Sequence, residues 1–357
     1  MTDDFLTLAA AYRTEYLLKT EALYTANRTG WFADFTGHFS EICTRIQKWQ
    51  HESALPAIMY MEYTMLYTNF KNRRYNAEVF VYGENSYLDK SQRWVGEYDV
   101  SFLFVYFDEL WDKLLSVRKR YVGKVTAREI AVFMLRALPE FYSYLVVVAR
   151  SAIVELVGKS QLADIEKNDR FKINVGDYMG NTETVFTECK NKDADKLDGW
   201  FSEQLPDKYN FGDYSGLDFS GKSFYYTDIR FARFQNSILN HTVFDCCILI
   251  GSNFRKADME SSRLDNCFIS ESDFSYANLK NASFVNVFGR AGLPNENEWR
   301  YVGFLPVNFR HADLTGVDFT GANLNGADYT GAILDGADFT GAILDGALFD
   351  NECYNKK

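Results

Sequence analysis

The sequence predicts a mixed fold: a mostly α-helical N-terminal domain over 1–160, a connector over 161–208, and a repeat solenoid over 209–350. Three observations predict it. A large apolar residue recurs every five positions through two C-terminal stretches, a spacing that matches neither the period of about 3.6 of a helix nor the period of about 2 of a strand. Helix-capping signals lie in the first 160 residues. Between the halves runs a polar, mixed stretch that includes "ECKNKDADKLDGWFSEQLPDKYN".

The repeat is read in a frame set on Leu314. Forward, the slots hold Phe319, Leu324, Tyr329, Leu334, Phe339, Leu344 and Phe349, preceded by Phe304 and Phe309. The same frame runs back from Phe284 through Leu279, Phe274, Ile269, Leu264, Met259, Phe254 and Leu249 to Tyr214. Two residues before most centres sits a small side chain, as at Ala232, Ser252, Cys267 and the unbroken run Ala322, Ala327, Ala332, Ala337, Ala342, Ala347. Leu217 and Lys222 break that rule at the first coil. Gly316, Gly321, Gly326, Gly331, Gly336, Gly341 and Gly346 suit tight turns with positive φ. Between the two stretches the slots at 289, 294 and 299 hold Gly, Pro and Trp, which predicts a protruding loop at about 285–303 after which the repeat resumes in phase.

The segments "ADLTG", "ANLNG", "ADYTG" and "ADFTG" resemble the pentapeptide-repeat family, over about 209–350. The resemblance implies a right-handed quadrilateral parallel β-helix with one pentapeptide per side. Centre and small residue would point inward and the other three outward. About six coils would make a rod on the order of 30 Å long at the roughly 4.8 Å spacing of paired strands. Burying one Leu or Phe yields roughly 1.5–3 kcal/mol, while fixing each backbone residue costs about 1–2 kcal/mol. A single repeat is therefore unstable, and only the stack holds.

In the first half, Thr2 is placed to cap a helix with Asp3 and Asp4 in its first turn and Phe5, Leu8, Ala9, Tyr12 and Tyr16 as apolar positions. "TARE" at 126–129 reads as a capping box whose helix ends near Leu138, because Pro139 disfavours continuation; the next helix would end at Gly158. Further helices are expected over 34–52, 56–71 and 100–118, with a small hairpin in 76–88 around Gly83-Glu84-Asn85.

Composition bounds the function. A chain of 357 residues can hold two cores. A formal charge of −11 argues against direct nucleic-acid binding, which needs a basic face. "MTDDFLTLAAAYRTEYL" lacks the basic start of a signal peptide, and "FYSYLVVVARSAIVELV" (141–157) is short and interrupted by Arg150 and Glu155, so no membrane role is expected. Six Cys without a CxxC pair and four His fit a cytoplasmic protein with no metal and no cofactor.

Few side-chain groupings point to chemistry. Asp108 and Asp112 share a helical face with Glu97, Asp99 and Glu109 nearby, as a carboxylate pair for acid–base work or a divalent cation would, yet a solvated face opposite Phe104, Phe107 and Trp111 accounts for them better. Arg150, with Tyr142 and Tyr144 upstream, predicts an internal ion pair in preference to an anion site, for which Glu155, five positions on, is an imperfect helical neighbour. Cys247 and Cys267 fall in the small inward slot twenty residues apart, as packing residues. His241 and His311 stand alone in outward positions. Nothing indicates a catalytic site. A partner-binding surface is expected instead at Asp313, Asp318, Asp328, Asp335, Asp338 and Asp345, and on the loop at Glu296, Glu298, Trp299 and Arg300. The leading expectation is a non-enzymatic protein–protein interaction or scaffold protein, with homodimerisation through the C-terminal end. A DNA-mimic modulator of DNA gyrase, as in some members of the family resembled, and a ligand-binding or enzymatic N-terminal domain are the alternatives.

Overall fold

A computed structural model of the chain describes residues 2–83, 92–156, 162–178, 182–189, 209–291 and 305–350. The chain divides into two compact units, Met1–Lys190 and Asn191–Lys357.

The first unit joins helices to a five-stranded sheet. Helix α1 (Asp3–His51) is one continuous element that absorbs the separate helix expected at 34–52. Its buried residues, among them Phe5, Ala9, Leu17, Tyr24, Phe35, Phe39, Ile42 and Ile46, recur at helical spacing along its whole length. Gly30 and Gly37, where a Cβ would meet nothing, do not interrupt it. Thr2 takes the extended N-cap conformation without a side-chain capping bond.

The helix expected over 56–71 is instead strand β1 (Ile58–Met65) followed by the short helix α2 (Tyr67–Lys71). The physical reason is burial on both faces. Met61, Tyr63 and Met65 are buried on one side and Glu62 and Thr64 on the other, so β1 lacks the alternation that marks a half-buried strand. Strands β2 (Asn76–Tyr82) and β3 (Arg93–Asp99) pair antiparallel, so the second arm of the expected hairpin lies beyond 76–88; residues 84–91 are outside the described set. Helix α3 is Val105–Val117. Helix α4 (Ala127–Leu156) starts at the expected capping box: Thr126 N donates to Glu129 Oε2 at 2.8 Å and Glu129 N donates to Thr126 Oγ1 at 3.2 Å. It does not stop at Pro139, which lies inside it. An interior proline costs about 3 kcal/mol, and the burial of Leu138, Phe141 and Leu145 around it offsets that at roughly 1.5–3 kcal/mol each. Ala127–Ile153 is long and apolar enough to cross a membrane by length and composition, and α4 packs on α1, α3, β4 and β5, as a core helix does.

The connector expected from 161 holds two strands, β4 (Lys167–Asp177) and β5 (Thr182–Cys189), which complete the sheet in the order β3-β2-β1-β4-β5. β1 and β4 run parallel; every other pair is antiparallel. Residues 1–160 are thus rich in helix as expected, but their core is shared with a mixed sheet that closes through residues from the supposed connector.

The second unit is a parallel β-helix. Bridges join each residue to the one twenty further on, as Asp213 to Arg233, Arg233 to Asn253 and Asn253 to Asp273, so four pentapeptides make one coil. β6 (Ser223–Tyr225) and β7 (Val243–Asp245) are the longest such pairs. Every described large slot residue up to Tyr329 is buried, and the small slot residues Ala232, Cys247, Ala257 and Ala322 are buried with them. The hydroxyls and thiols of the small slots have a further task. Thr242, Ser252 and Ser272 donate to the carbonyls of Phe219, Ile229 and Leu249 at 2.9, 2.7 and 2.7 Å, and Cys247 and Cys267 to those of Phe224 and Phe244 at 3.3 and 3.4 Å.

A period of twenty sorts the core by chemistry. Tyr214, Phe234, Phe254, Phe274, Phe309, Tyr329 and Phe349 form one unbroken column of rings with centroids 4.8–5.3 Å apart. That separation is the coil spacing, and it lies within the range of favourable ring contacts. The turn position two residues after each centre takes a left-handed conformation whether or not it is glycine: φ is 56° at Asn236, 60° at Tyr276 and 69° at Gly316.

The bridges step by 35 residues between Asp273 and Asn308 and between Phe288 and Asn323. The insertion therefore begins after Gly289, later than the 285 expected. Gly289 keeps its place in the coil because a Cβ there would lie 2.9 Å from Leu324 Cδ2 and Val307 Cγ1. Its neighbours' side chains fill the slot. The slot expected at Phe304 lies outside the described residues.

Candidate functional site

The aspartates expected to meet a partner first serve the solenoid. Asp313, Asp318, Asp328 and Asp338 each accept the backbone N–H two residues on, from Thr315, Thr320, Thr330 and Thr340, at 3.2, 2.8, 2.9 and 2.8 Å. The threonine hydroxyls add a second donor to Asp313, Asp328 and Asp338 at 2.6 Å. These are Asx turns, and they explain why the repeat sets Asp before its centre. Asp338 is held below the usual carboxylate range by the Thr340 hydroxyl and then the Thr340 amide. At Asp313 burial pulls upward, but the Thr315 hydroxyl and amide and Lys280 outweigh it and the net shift is downward.

The six carboxylates are not gathered on one side. Asp313, Asp318 and Asp328 sit on different pentapeptides of one coil, bridged onward to Ile333, Asp338 and Leu348 respectively. Asp318 and Asp338 alone are stacked directly. Lys280 pairs with Asp313 at 3.2 Å and Arg310 with Asp328 at 3.5 Å. Among the described residues Asp318, Asp335, Asp338 and Asp345 have no ion pair, and the last three are exposed. The surface is thus a ring of carboxylates around the last coils. Glu296, Glu298, Trp299 and Arg300 lie outside the described residues.

The remaining groupings resolve into structural contacts. Asp112 is paired with Arg73, which also reaches Asp108 at 3.6 Å, and Tyr75 donates to Asp108, so neither carboxylate is left for acid–base work. Glu97 pairs with Arg74 at 2.8 Å, and Asp99 caps the Ser101 amide. Arg150 finds its internal partner across the sheet: Nη2 donates to Glu183 Oε1 at 2.7 Å. Cys247 N donates to Cys267 Sγ at 3.3 Å, one coil above the other, and burial pushes the Cys267 thiol up. His311 stacks on Tyr276, whose ring also lies under Arg255.

Sequence reasoning missed two polar features of the sheet. On one face Thr184 Oγ1 donates to Asn174 Oδ1 at 3.0 Å and Asn174 Nδ2 to buried Glu62 at 3.1 Å. On the other, at the carboxyl end of β4, Tyr67 donates to buried Asp177 at 2.9 Å. Asp177 and Thr184 fall in the stretch read as connector, and Glu62 in the one read as helix, so no sequence signal joined them. In the last described coil Leu334, Phe339, Leu344 and Phe349 are only partly buried, and Ile333, Ile343 and Leu348 are 50%, 47% and 55% exposed.

Comparison with known proteins bears on the second unit. The family model for pentapeptide repeats matches in eight copies over residues 223–266, 252–288 and 312–351. Among solved structures, a pentapeptide repeat protein of the Arabidopsis thaliana thylakoid lumen is similar at 29% identity, over 30% of this chain and 67% of that one, with a TM-score of 0.19. HetL, a pentapeptide repeat protein of the cyanobacterium Nostoc involved in heterocyst differentiation regulation, aligns at 16% identity over 45% of this chain and 98% of its own, with a TM-score of 0.16. The plasmid-mediated fluoroquinolone resistance protein QnrB1 aligns at 23% identity over 39% of this chain and 84% of its own, with a TM-score of 0.13. A search of curated proteins returned no match. The twenty-residue coil, the five-residue slot pattern and the matching family model together identify residues 223–288 and 312–351 as pentapeptide repeats.

Proposed function

We propose that this protein is a non-enzymatic interaction scaffold of the cytoplasm. Its right-handed, four-sided β-helix serves as a rigid rod, and the N-terminal unit holds a protein partner. The observation that carries this reading is the last coil. In each earlier coil the amides reach the next one, as Leu314 N donates to Ile333 O at 2.8 Å and Gly316 N to Asp335 O at 2.9 Å. The equivalent amides of Leu334, Gly336 and Gly341 have no following coil among the described residues. An unpaired strand edge beside half-buried Leu and Phe is a surface that pairs with another chain. A second copy offers the same edge, so homodimerisation through the C-terminal end is part of the proposal.

Light scattering on the full chain tests it. A dimer is expected at tens of micromolar protein, reverting to monomer in Ile343→Glu/Leu348→Glu. A wild-type monomer up to about 100 µM, a concentration at which even a micromolar Kd gives mostly complex, removes the self-pairing.

A second reading, a DNA-mimic modulator of gyrase, is favoured by one observation: carboxylates at Asp318, Asp335, Asp338 and Asp345 without cationic partners around an end that would double on dimerisation. Inhibition or protection of purified gyrase in a supercoiling assay supports it, and no effect at micromolar protein removes it.

A further inference from the structure

We propose that the carboxyl ends of β1 and β4 form a binding site for a small organic ammonium ion, with Asp177 as its counter-ion. The topology makes a switch point there. β1 and β4 are adjacent and parallel, yet β1 leads away to β2 on one side and β4 to β5 on the other. The chain therefore diverges at their common end, the place where open sheets with parallel strands leave room for ligands. Tyr67 follows β1 directly, Asp177 ends β4, and Tyr178 N closes the corner on Met65 O at 3.2 Å.

Asp177 is only 4% exposed. Its Oδ2 accepts from the Tyr67 hydroxyl at 2.9 Å, while its buried Oδ1 has no hydrogen-bond partner. Burial raises its pKa above the usual carboxylate value, against the opposing pull of the Tyr67 and Tyr142 hydroxyls. A buried carboxylate with an open oxygen is costly unless a donor or cation completes it.

The titratable groups that act on it are Tyr67 from α2 and Tyr142 from α4, and Glu183 from β5 in turn acts on Tyr142. Arg150 is engaged with Glu183 at 2.7 Å, so that pair cancels and one negative charge is left over. The remainder fits a monocation. A metal ion such as Ca²⁺ takes six to eight oxygen ligands, and one open carboxylate oxygen beside two phenols does not approach that. An ammonium group needs only an acceptor and apolar or aromatic walls, and the rings of Tyr67 and Tyr142 supply the walls. Tyr67 is 39% exposed, so the site has a wall that solvent reaches.

The test uses the full-length chain and n-butylammonium as probe, with n-butanol as its neutral counterpart, read by saturation-transfer NMR. Transfer to butylammonium is expected with a Kd on the order of 1 mM, the weak range proper to so small a ligand, and none to butanol. Asp177→Asn is expected to weaken it at least tenfold. Equal transfer to butanol, no transfer to butylammonium, or undiminished binding by Asp177→Asn each overturns the proposal. Should Asp177→Asn fail to fold, wild-type binding is followed on acidification toward pH 4, near the ordinary carboxylate value. Binding that does not fall there overturns it equally.

Discussion

Tyr329 carries an avoidable cost in the solenoid core. It stands in the aromatic column, 1% exposed, and its hydroxyl has no hydrogen-bond partner, whereas Tyr214 in the same column donates to Tyr209 O at 3.3 Å. A buried hydroxyl without a partner costs about 1–3 kcal/mol. Tyr329→Phe is expected to stabilise the protein by about 1 kcal/mol in urea titration, and Tyr214→Phe to give no gain. A second expectation concerns the turns. Gly316 has φ of 69°, and a Cβ there would lie 2.6 Å from Asn281 Oδ1. Gly316→Val is expected to cost roughly 2 kcal/mol, since left-handed backbone disfavours any Cβ and a branched one most. Gly316→Asn is expected to cost less than about half of that, because Asn236, Asn266, Asn281 and Asn286 already hold φ of 55–58° at equivalent turns. The turn glycines were legible in the sequence. That asparagine, histidine and tyrosine would share their conformation was not, because these residues reach it only when the coils above and below fix the backbone.

At the scale of the element, α4 and β1 depart furthest from local expectation. Pro139 and the capping box at Thr126 are opposite signals for one helix, and only the second prevails. Thr126→Ala is expected to cost about 1 kcal/mol, the ordinary value of a lost cap. Pro139→Ala is expected to raise the thermal midpoint, because it restores the ladder bond to the Leu135 carbonyl without removing buried area. A lower midpoint would mean that the φ fixed by Pro139 contributes more than the missing ladder bond costs. β1 was unreadable for a different reason. "IMYMEYTM" is buried on both faces, so it carries no period of two, and its Met residues favour helix as readily as strand. The pairing of β1 with β4 joins residues more than a hundred positions apart. The cluster of Tyr67, Asp177 and Tyr142 exists only because of that pairing, which is why it was invisible from the sequence.

For the whole molecule, acidity is the simplest probe of how the rod is held. Asp218, Asp313 and Asp338 are all shifted below the ordinary carboxylate value. A group whose folded value is depressed stabilises the fold above its unfolded value and loses that contribution as pH falls through the folded one. Urea stability of the second unit is thus expected to be level from pH 7 to about 5 and to decline below about 4. Replacing Asp338 by Asn should make the decline shallower, and an unchanged slope would assign it to other carboxylates. The sequence by itself determined the solenoid: its slots, its small inward residues and its turns repeat every five positions, so each coil meets a copy of its own pattern and local order is enough to specify the stack. Tertiary structure alone decided the sheet of the first unit, where Tyr178 closes on Met65 and where Asp177 finds Tyr67. Those contacts depend on long-range pairing between strands with no periodic signature, and no local spacing encodes them.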